Sequence, residues 1–279
     1  MKNFKEYLGL GIAGNFALHL DQAGEAEDFK DIVTEDESAP KGIFPFYLPK
    51  RVDIAKEILS TYPLSSSVIK HPDSKLNIQA EPEVGLVCDL VYENDKLLNI
   101  IPKYFGAYND CSIRVAGAKK ISDKKNWGEN SKGISETLFE VDKFSEGSVM
   151  EDFSIVSFLR RDGELTQYGE DVELTGYSYF YEKLTSWIVN QINTQKDFGP
   201  LEPISEYILK CDNPKKLVIS IGATRYTNYG EATFLKDGDE VLVAVYNHNK
   251  ISFKDLKENL QKKNYALENV SLLSQKVMG

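Results

Sequence analysis

Several features are scarce in this 279-residue sequence, and their scarcity excludes some classes of function. The three cysteines, Cys88, Cys111 and Cys211, are odd in number and too far apart for a C-x-x-C zinc or redox motif. No Lys/Arg-rich block alternates with aromatic residues, and 43 acidic against 33 basic residues give a formal net charge of −10. We therefore expect reduced thiols and no binding to nucleic acid or to an anionic membrane surface.

Long hydrophobic runs are missing as well. The apolar stretch over residues 8–20 is interrupted by Asn15 and His19, and no convincing signal-peptide cleavage site follows it. It is also too short to span a bilayer. We expect a cytoplasmic protein that does not enter the membrane. The 42% apolar content is enough for a full core, and no break in composition divides the chain, so we expect one domain over residues 1–279.

The pattern of apolar residues predicts an α+β fold that is mostly β. An N-terminal part, residues 1–75, has a strand over 8–13 and a helix start over 15–25 that carries His19. A β-rich core, residues 76–250, is followed by a C-terminal helix or tail over 251–279. Strands are predicted over residues 84–91, 97–107, 154–160, 217–221 and 240–246.

Three further segments of the core have distinct local signals. Asp162-Gly163 predicts a two-residue hairpin, because this pair accepts the positive φ angles of a type I′ turn. Helical spacing of apolar residues predicts a helix over residues 178–193. The prolines between residues 197 and 214 predict an irregular insertion that contains a short helix.

Two carboxylates stand two residues apart at the head of a predicted strand. Glu81 and Glu83 face the same side of a pleated strand, so both can approach one hard cation. Asp110 ends the next strand and supplies a third carboxylate. The three predict a site for a divalent metal ion. The simpler alternative is an acidic pair on a solvated strand face.

A glycine pattern near the N-terminus matches a dinucleotide-binding motif but lacks its context. Residues 9–14 read G-x-G-x-x-G. The motif requires a preceding hydrophobic strand and an acidic residue after a second strand about 20 residues further on. Charged residues precede Gly9, and residues 25–31 form a charged, helix-like run, so we reject a dinucleotide cofactor.

Six segments, in order, resemble motifs of the fumarylacetoacetate hydrolase (FAH) superfamily. Residues 81–87 resemble its Glu-x-Glu metal strand, and residues 109–114 resemble its Asn-Asp-x-Ser-x-Arg motif. The other segments are residues 11–19, 131–133, 158–167 and 218–224 together with 234–239. The resemblance covers residues 8 to 250. It implies a rolled, mixed β-sheet with peripheral helices, and usually a homodimer.

The resemblance also implies roles for individual residues. Glu81, Glu83 and Asp110 would hold Mg²⁺ or Mn²⁺, and Lys132 would balance negative charge that develops on substrate oxygen. A surface lysine is the alternative reading of Lys132.

His19 would act as a general base, although a structural helix histidine is the alternative. Superfamily members commonly have a glutamate three residues after this histidine, but Gln22 occupies that position here, and glutamine cannot take up a proton. Glu25 is a second candidate partner, although a regular helix would turn it away from His19.

The implied activity is metal-dependent chemistry on a small 2-oxo acid or 1,3-dicarbonyl compound. Acylpyruvate-type C–C bond hydrolysis, decarboxylation and isomerisation are all open, and the missing glutamate weakens the case for hydrolysis. The alternative is a non-catalytic protein that binds metal and a small carboxylate metabolite. A third possibility is a structural dimer with an empty site.

Overall fold

The computed structural model describes residues 3–34, 36–72 and 75–279. In this part the strands are β1 (Leu8–Ala13), β2 (Gly42–Tyr47), β3 (Leu64–Ser65), β4 (Val68–Lys70), β5 (Asn77–Gln79), β6 (Pro82–Glu93), β7 (Lys96–Asn109), β8 (Ser112–Arg114), β9 (Lys132–Ile134), β10 (Phe139–Glu140), β11 (Phe153–Arg161), β12 (Glu164–Glu173), β13 (Lys216–Ser220), β14 (Glu240–Asn247) and β15 (Val270–Met278).

The helices are short and lie outside the sheets. The α-helices are α1 (His19–Gln22), α2 (Ser122–Lys125), α3 (Tyr181–Thr194), α4 (Ile204–Lys210), α5 (Asn228–Glu231) and α6 (Phe253–Gln261). The 3₁₀ helices are Ala26–Phe29, Glu57–Ser60, Val149–Asp152 and Leu174–Gly176. Within the described residues, no helix has the length and apolar character needed to cross a membrane.

Two β-sheets form the body of the molecule. The larger has the order β2-β1-β13-β6-β7-β9-β3, with β10 also paired to β7. It is mixed, because β1 pairs in parallel with β13 and β3 with β9, while its other pairs are antiparallel. The second sheet has the order β12-β11-β14-β15-β4, and β5 with β8 forms a small ribbon. The predicted mostly β fold with a rolled mixed sheet and peripheral helices is confirmed.

Apolar contacts between β7 and β11 join the two sheets. Phe105 of β7 and Phe153 of β11 are buried and meet edge to face, with ring centroids 5.0 Å apart. Strand β14 is buried from residue 241 to residue 247, which explains the apolar run over residues 241–246. Burial of each large apolar side chain contributes about 1.5–3 kcal/mol to stability.

Two tight turns set the register of the long hairpins. Asp162 and Gly163 have φ angles of 52° and 87° between β11 and β12, which confirms the predicted turn. Asn94 and Asp95, at 49° and 61°, join β6 to β7 in the same way. The second hairpin is the one that carries the carboxylates.

The structure corrects the prediction at both ends of the chain. The predicted helix over residues 15–25 is a single turn, α1, which ends at Gln22. The C-terminal part is not only a helix and tail, because β15 pairs with β14 and β4 inside the second sheet. Two polar residues of β15, Ser271 and Gln275, are buried. Ser271 Oγ accepts a hydrogen bond from the Ala107 N–H, and Gln275 Oε1 accepts one from Asn109 Nδ2.

Helix α2 is anchored by a buried glutamate. Ser122 Oγ donates a hydrogen bond of 2.9 Å to Glu202 Oε1. The second oxygen, Oε2, has no hydrogen-bond partner among the described residues. Burial raises the pKa of Glu202 to about 7, although the Ser122 hydrogen bond and the charge of Lys120 oppose this shift.

We expect Glu202→Gln to make stability less dependent on pH. A raised pKa in the folded state stabilises the fold at low pH, and this contribution is lost as the pH rises through about 7. Glutamine keeps an acceptor for Ser122 and cannot ionise. Between pH 5 and pH 8 the free energy of unfolding of wild type should therefore fall by about 2 kcal/mol relative to that of the variant. Urea unfolding of both proteins at both pH values measures this change. The same difference in stability between the two proteins at pH 5 and at pH 8 would contradict the prediction.

Candidate metal centre

The register of β6 and β7 brings three carboxylates together. Glu81 precedes β6, Glu83 lies within it, and Asp110 follows β7. Pro82 pairs with Asn109, and the Asp110 N–H donates to the Glu81 carbonyl at 2.9 Å, just beyond the strand pairing. One oxygen of each carboxylate lies within 4.8 Å of the other two, and all three side chains are buried. A solvated strand face is therefore excluded.

Strand β9 places Lys132 beside Asp110. Gly133 pairs with Asn109, so Lys132 lies next to Asp110 on the neighbouring strand. Its Nζ is 2.5 Å from Asp110 Oδ1. Lys132 is fully buried, so the surface-lysine alternative is wrong. Burial lowers the pKa of Lys132, although the charge of Asp110 opposes this shift.

Arg114 links Glu81 to Glu25. From the end of β8, its Nη2 lies 2.9 Å from Glu81 Oε1, and its Nη1 donates to Glu25 Oε1 at 2.7 Å. Lys124 Nζ donates to the same Glu25 oxygen at 2.9 Å. Burial alone would raise the pKa of Glu25, but the charges of Arg114 and Lys125 lower it. The nearby cations therefore keep the Glu25 carboxylate in its anionic form.

Lys125 lies inside the carboxylate cluster. Its Nζ is 2.6 Å from Glu81 Oε2 and 2.7 Å from Asp110 Oδ2, and the side chain is only 4% exposed. Burial would lower the pKa of Lys125, but Asp110 and Glu81 raise it above its usual value. Lys125 was not predicted as a site residue, because residues 119–125 are rich in lysine and resemble an exposed segment.

The charged side chains form a chain in which the signs alternate. Along the ion pairs the order is Asp28, Lys124, Glu25, Arg114, Glu81, Lys125, Asp110 and Lys132. Four carboxylates thus face four cations, and we call this set the ion chain. Its charges balance without any bound ion.

Glu83 lies outside the ion chain. Its Oε2 accepts a hydrogen bond from the Gly222 N–H at 2.8 Å. Burial and the nearby charge of Asp110 raise the pKa of Glu83 well above its usual value. Gly222 has a φ of 113°, and a Cβ there would lie 2.9 Å from the Asn15 Cβ, so this turn requires glycine.

His19 is buried at the edge of the cluster without a hydrogen-bond partner. Within the described residues neither ring nitrogen is hydrogen-bonded, and the ring centroid is 5.1 Å from that of Tyr226. Burial lowers the pKa of His19 to about 4, which outweighs the opposite effect of the Glu81 charge. The imidazole is therefore neutral at pH 7.

Neither candidate partner hydrogen-bonds to His19. Gln22 Oε1 accepts from the Tyr226 N–H at 2.9 Å, and its Nε2 donates to the Tyr226 carbonyl at 3.2 Å. Glu25 lies beyond the end of α1, so the prediction based on a regular helix does not apply to it. The Glu25 carboxylate pairs with Arg114 and Lys124 instead.

The donor set suits a divalent metal ion. Glu81 Oε1 and Asp110 Oδ2 accept no hydrogen bond from the described residues, although cations approach both. Carboxylate oxygens are the ligands that Mg²⁺ and Mn²⁺ prefer. Glu81, Glu83 and Asp110 could therefore bind a metal ion.

The three carboxylates are closed off from solvent, since Glu81, Glu83 and Asp110 are at most 2% exposed. Five surface cavities in the described part of the chain have volumes of about 430 to 670 Å³. None of the five is lined by Glu81, Glu83 or Asp110.

Comparisons with known proteins agree on the fold. A protein from Mycobacterium smegmatis named for HpcE matches with a TM-score of 0.53 and 14% identity, over 97% of this chain and 74% of that one. A protein from Yersinia pestis CO92 named for the fumarylacetoacetate hydrolase family matches with a TM-score of 0.51 and 12% identity, over 97% and 93%. At such identities the likeness establishes the fold. No curated protein matches the sequence significantly.

The sequence itself matches one family model. Residues 25–277 match the family of unknown function DUF5718. The solved structures confirm the resemblance to the FAH superfamily at the level of the fold. The chain therefore belongs to DUF5718, and its fold is that of the fumarylacetoacetate hydrolases.

Proposed function

We propose that the protein is a divalent-metal-dependent enzyme that acts on a small 2-oxo acid or a 1,3-dicarbonyl compound. The observation that carries the proposal is the convergence of Glu81, Glu83 and Asp110 at a buried point beside Lys132. A bound Mg²⁺ or Mn²⁺ would polarise the substrate carbonyl and stabilise an enolate. The resemblance to the FAH superfamily supports this substrate class.

Lys132 would supply positive charge for an anionic substrate, and Arg114 would support the carboxylates. The Lys132 ammonium is held against Asp110, and its remaining protons can be donated to a substrate oxygen. Arg114 is held by Glu25, Glu81 and the Tyr226 hydroxyl, so it would position the carboxylates and not contact the substrate.

The environment of His19 favours decarboxylation or isomerisation over hydrolysis. Hydrolysis needs a base that takes a proton from water, and an imidazole with a pKa of about 4 is a weak base. Gln22 is bound to the Tyr226 backbone and does not orient the ring. Enolate formation by decarboxylation or isomerisation depends less on an activated water.

A second candidate function is non-catalytic binding of metal and a small carboxylate. The observation that favours it is the Lys125 ammonium between Glu81 and Asp110, since this cation stabilises the cluster in a closed form. Such a protein would bind oxalate together with metal and would turn over no 2-oxo acid.

We expect Glu83→Gln to weaken Mn²⁺ binding at least tenfold while the fold is kept. Glu83 is outside the ion chain, and a glutamine oxygen can still accept from the Gly222 N–H, so the change removes one anionic ligand. Isothermal titration calorimetry on chelator-stripped protein measures the affinity, with the exposed Glu140→Gln as the control. An unchanged affinity in Glu83→Gln would remove the residue from the metal site.

We expect the protein to turn over a 2-oxo acid when metal is present. We expect the rate to fall less than about tenfold in His19→Asn. Loss of a working general base would cost on the order of 10²–10⁴ in rate. A panel of 2-oxo acids and acylpyruvates, assayed with Mg²⁺ and with chelator, identifies the reaction by its products. Hydrolysis that disappears in His19→Asn would contradict the preferred chemistry, and oxalate binding without any turnover would favour the second candidate.

We also propose a cytoplasmic homodimer, which the superfamily resemblance supports. Light scattering after size-exclusion chromatography should give twice the chain mass of 31.5 kDa. A mass of one chain at micromolar concentration would contradict the dimer.

A further inference from the structure

Every carboxylate oxygen of Glu81 and Asp110 already has a cation of the protein beside it. Arg114 approaches Glu81 Oε1 at 2.9 Å, and Lys132 approaches Asp110 Oδ1 at 2.5 Å. Lys125 approaches the two remaining oxygens, at 2.6 Å and 2.7 Å. Of these three cations, Lys125 is the one that pairs with both Glu81 and Asp110.

The position of Lys125 conflicts with a bound metal ion. A Mg²⁺–oxygen bond is about 2.1 Å, so an ion bound through Glu81 Oε2 would lie at most about 4.7 Å from Lys125 Nζ. The same limit holds, within about 0.1 Å, for an ion bound through Asp110 Oδ2. Two cations at such a spacing repel each other more strongly in a buried site than in water.

A metal ion bound through the other two carboxylate oxygens would also be repelled by a cation of the protein. Glu81 Oε1 and Asp110 Oδ1 are paired with Arg114 and Lys132, so an ion bound there meets a different cation. The ion chain is also balanced, and a divalent ion would add two positive charges to it. Withdrawal of one lysine compensates for half of that excess and frees one oxygen on each carboxylate.

We propose that Lys125 is an internal competitor of the metal ion, and that its ammonium must withdraw from Glu81 and Asp110 before a divalent cation binds. The inference rests on the proposed metal site and adds what controls its occupancy. Lys125 therefore sets the metal affinity of the centre. The cation that competes with the metal ion for the carboxylates is a side chain of the protein, so the competition does not depend on any solute.

Lys124 is a matched control for Lys125. The two lysines are neighbours in α2, both are buried, and each forms two ion pairs. Lys124 pairs with Glu25 and Asp28, and neither of these is a candidate metal ligand. Methionine at either position removes the same charge and keeps a similar side-chain length.

The test is a Mn²⁺ titration of chelator-stripped protein, in which the electron paramagnetic resonance signal of free Mn²⁺ reports binding. We expect Lys125→Met to bind Mn²⁺ at least tenfold more tightly than wild type, and Lys124→Met to stay within about threefold of wild type. Equal or weaker binding by Lys125→Met would overturn the inference. An equal gain in both variants would also overturn it, because the effect would then be one of general charge.

A second measurement keeps the test decisive if Lys125→Met folds poorly. Lys125→Gln removes the charge but retains amide donors for the buried carboxylates. Mn²⁺ should raise the thermal unfolding midpoint of Lys125→Gln by more than it raises that of wild type, because tighter binding to the folded state gives a larger shift. An equal or smaller shift would count against Lys125 as a competitor.

The outcomes separate this inference from the proposed function. Wild-type binding with no gain in either Lys125 variant overturns the inference alone. No Mn²⁺ binding by wild type or by any variant overturns the metal site and the inference together. Turnover is measured separately, so a gain in affinity without activity supports the inference and the non-catalytic candidate.

Discussion

The rest of the centre depends on one electrostatic constraint, which is the burial of three carboxylates within 4.8 Å of one another. Buried like charges repel, and each also loses its hydration, so the fold must supply counter-charges nearby. The cations come from three elements, with Arg114 on β8, Lys125 on α2 and Lys132 on β9. Loss of one partner from such a pair costs about 3–5 kcal/mol, since it leaves a buried charge uncompensated.

This arrangement explains why the site is closed and what an activity would require. The Lys125 ammonium pairs with both Glu81 and Asp110, so the protein itself supplies a counter-charge to these two carboxylates. A metal ion has to replace that interaction with a better one. His19 has no hydrogen-bond partner in the described chain, and burial lowers its pKa to about 4, so it is a weak base. Metal binding is therefore expected to require movement of the Lys125 side chain.

The sequence predicted the parts of the centre that follow from strand geometry. Glu81 and Glu83 share a side because of the two-residue period, and the turn at Asp162-Gly163 has its own local signal. Lys125 could not be predicted, because a single helical turn in a lysine-rich segment has no periodicity that separates buried from exposed residues. Strand β15 was missed for a related reason, since its buried Ser271 and Gln275 are satisfied by distant partners that the sequence does not identify.

The most direct measurement of the central claim is a crystal structure of protein soaked with Mn²⁺ and oxalate, with anomalous diffraction data collected for manganese. We expect an anomalous peak bonded to Glu81, Glu83 and Asp110, with Lys125 Nζ moved out of contact with Glu81 and Asp110. A peak with Lys125 still in place would contradict competition between the two cations. No peak, with the ion chain intact, would contradict the metal centre itself.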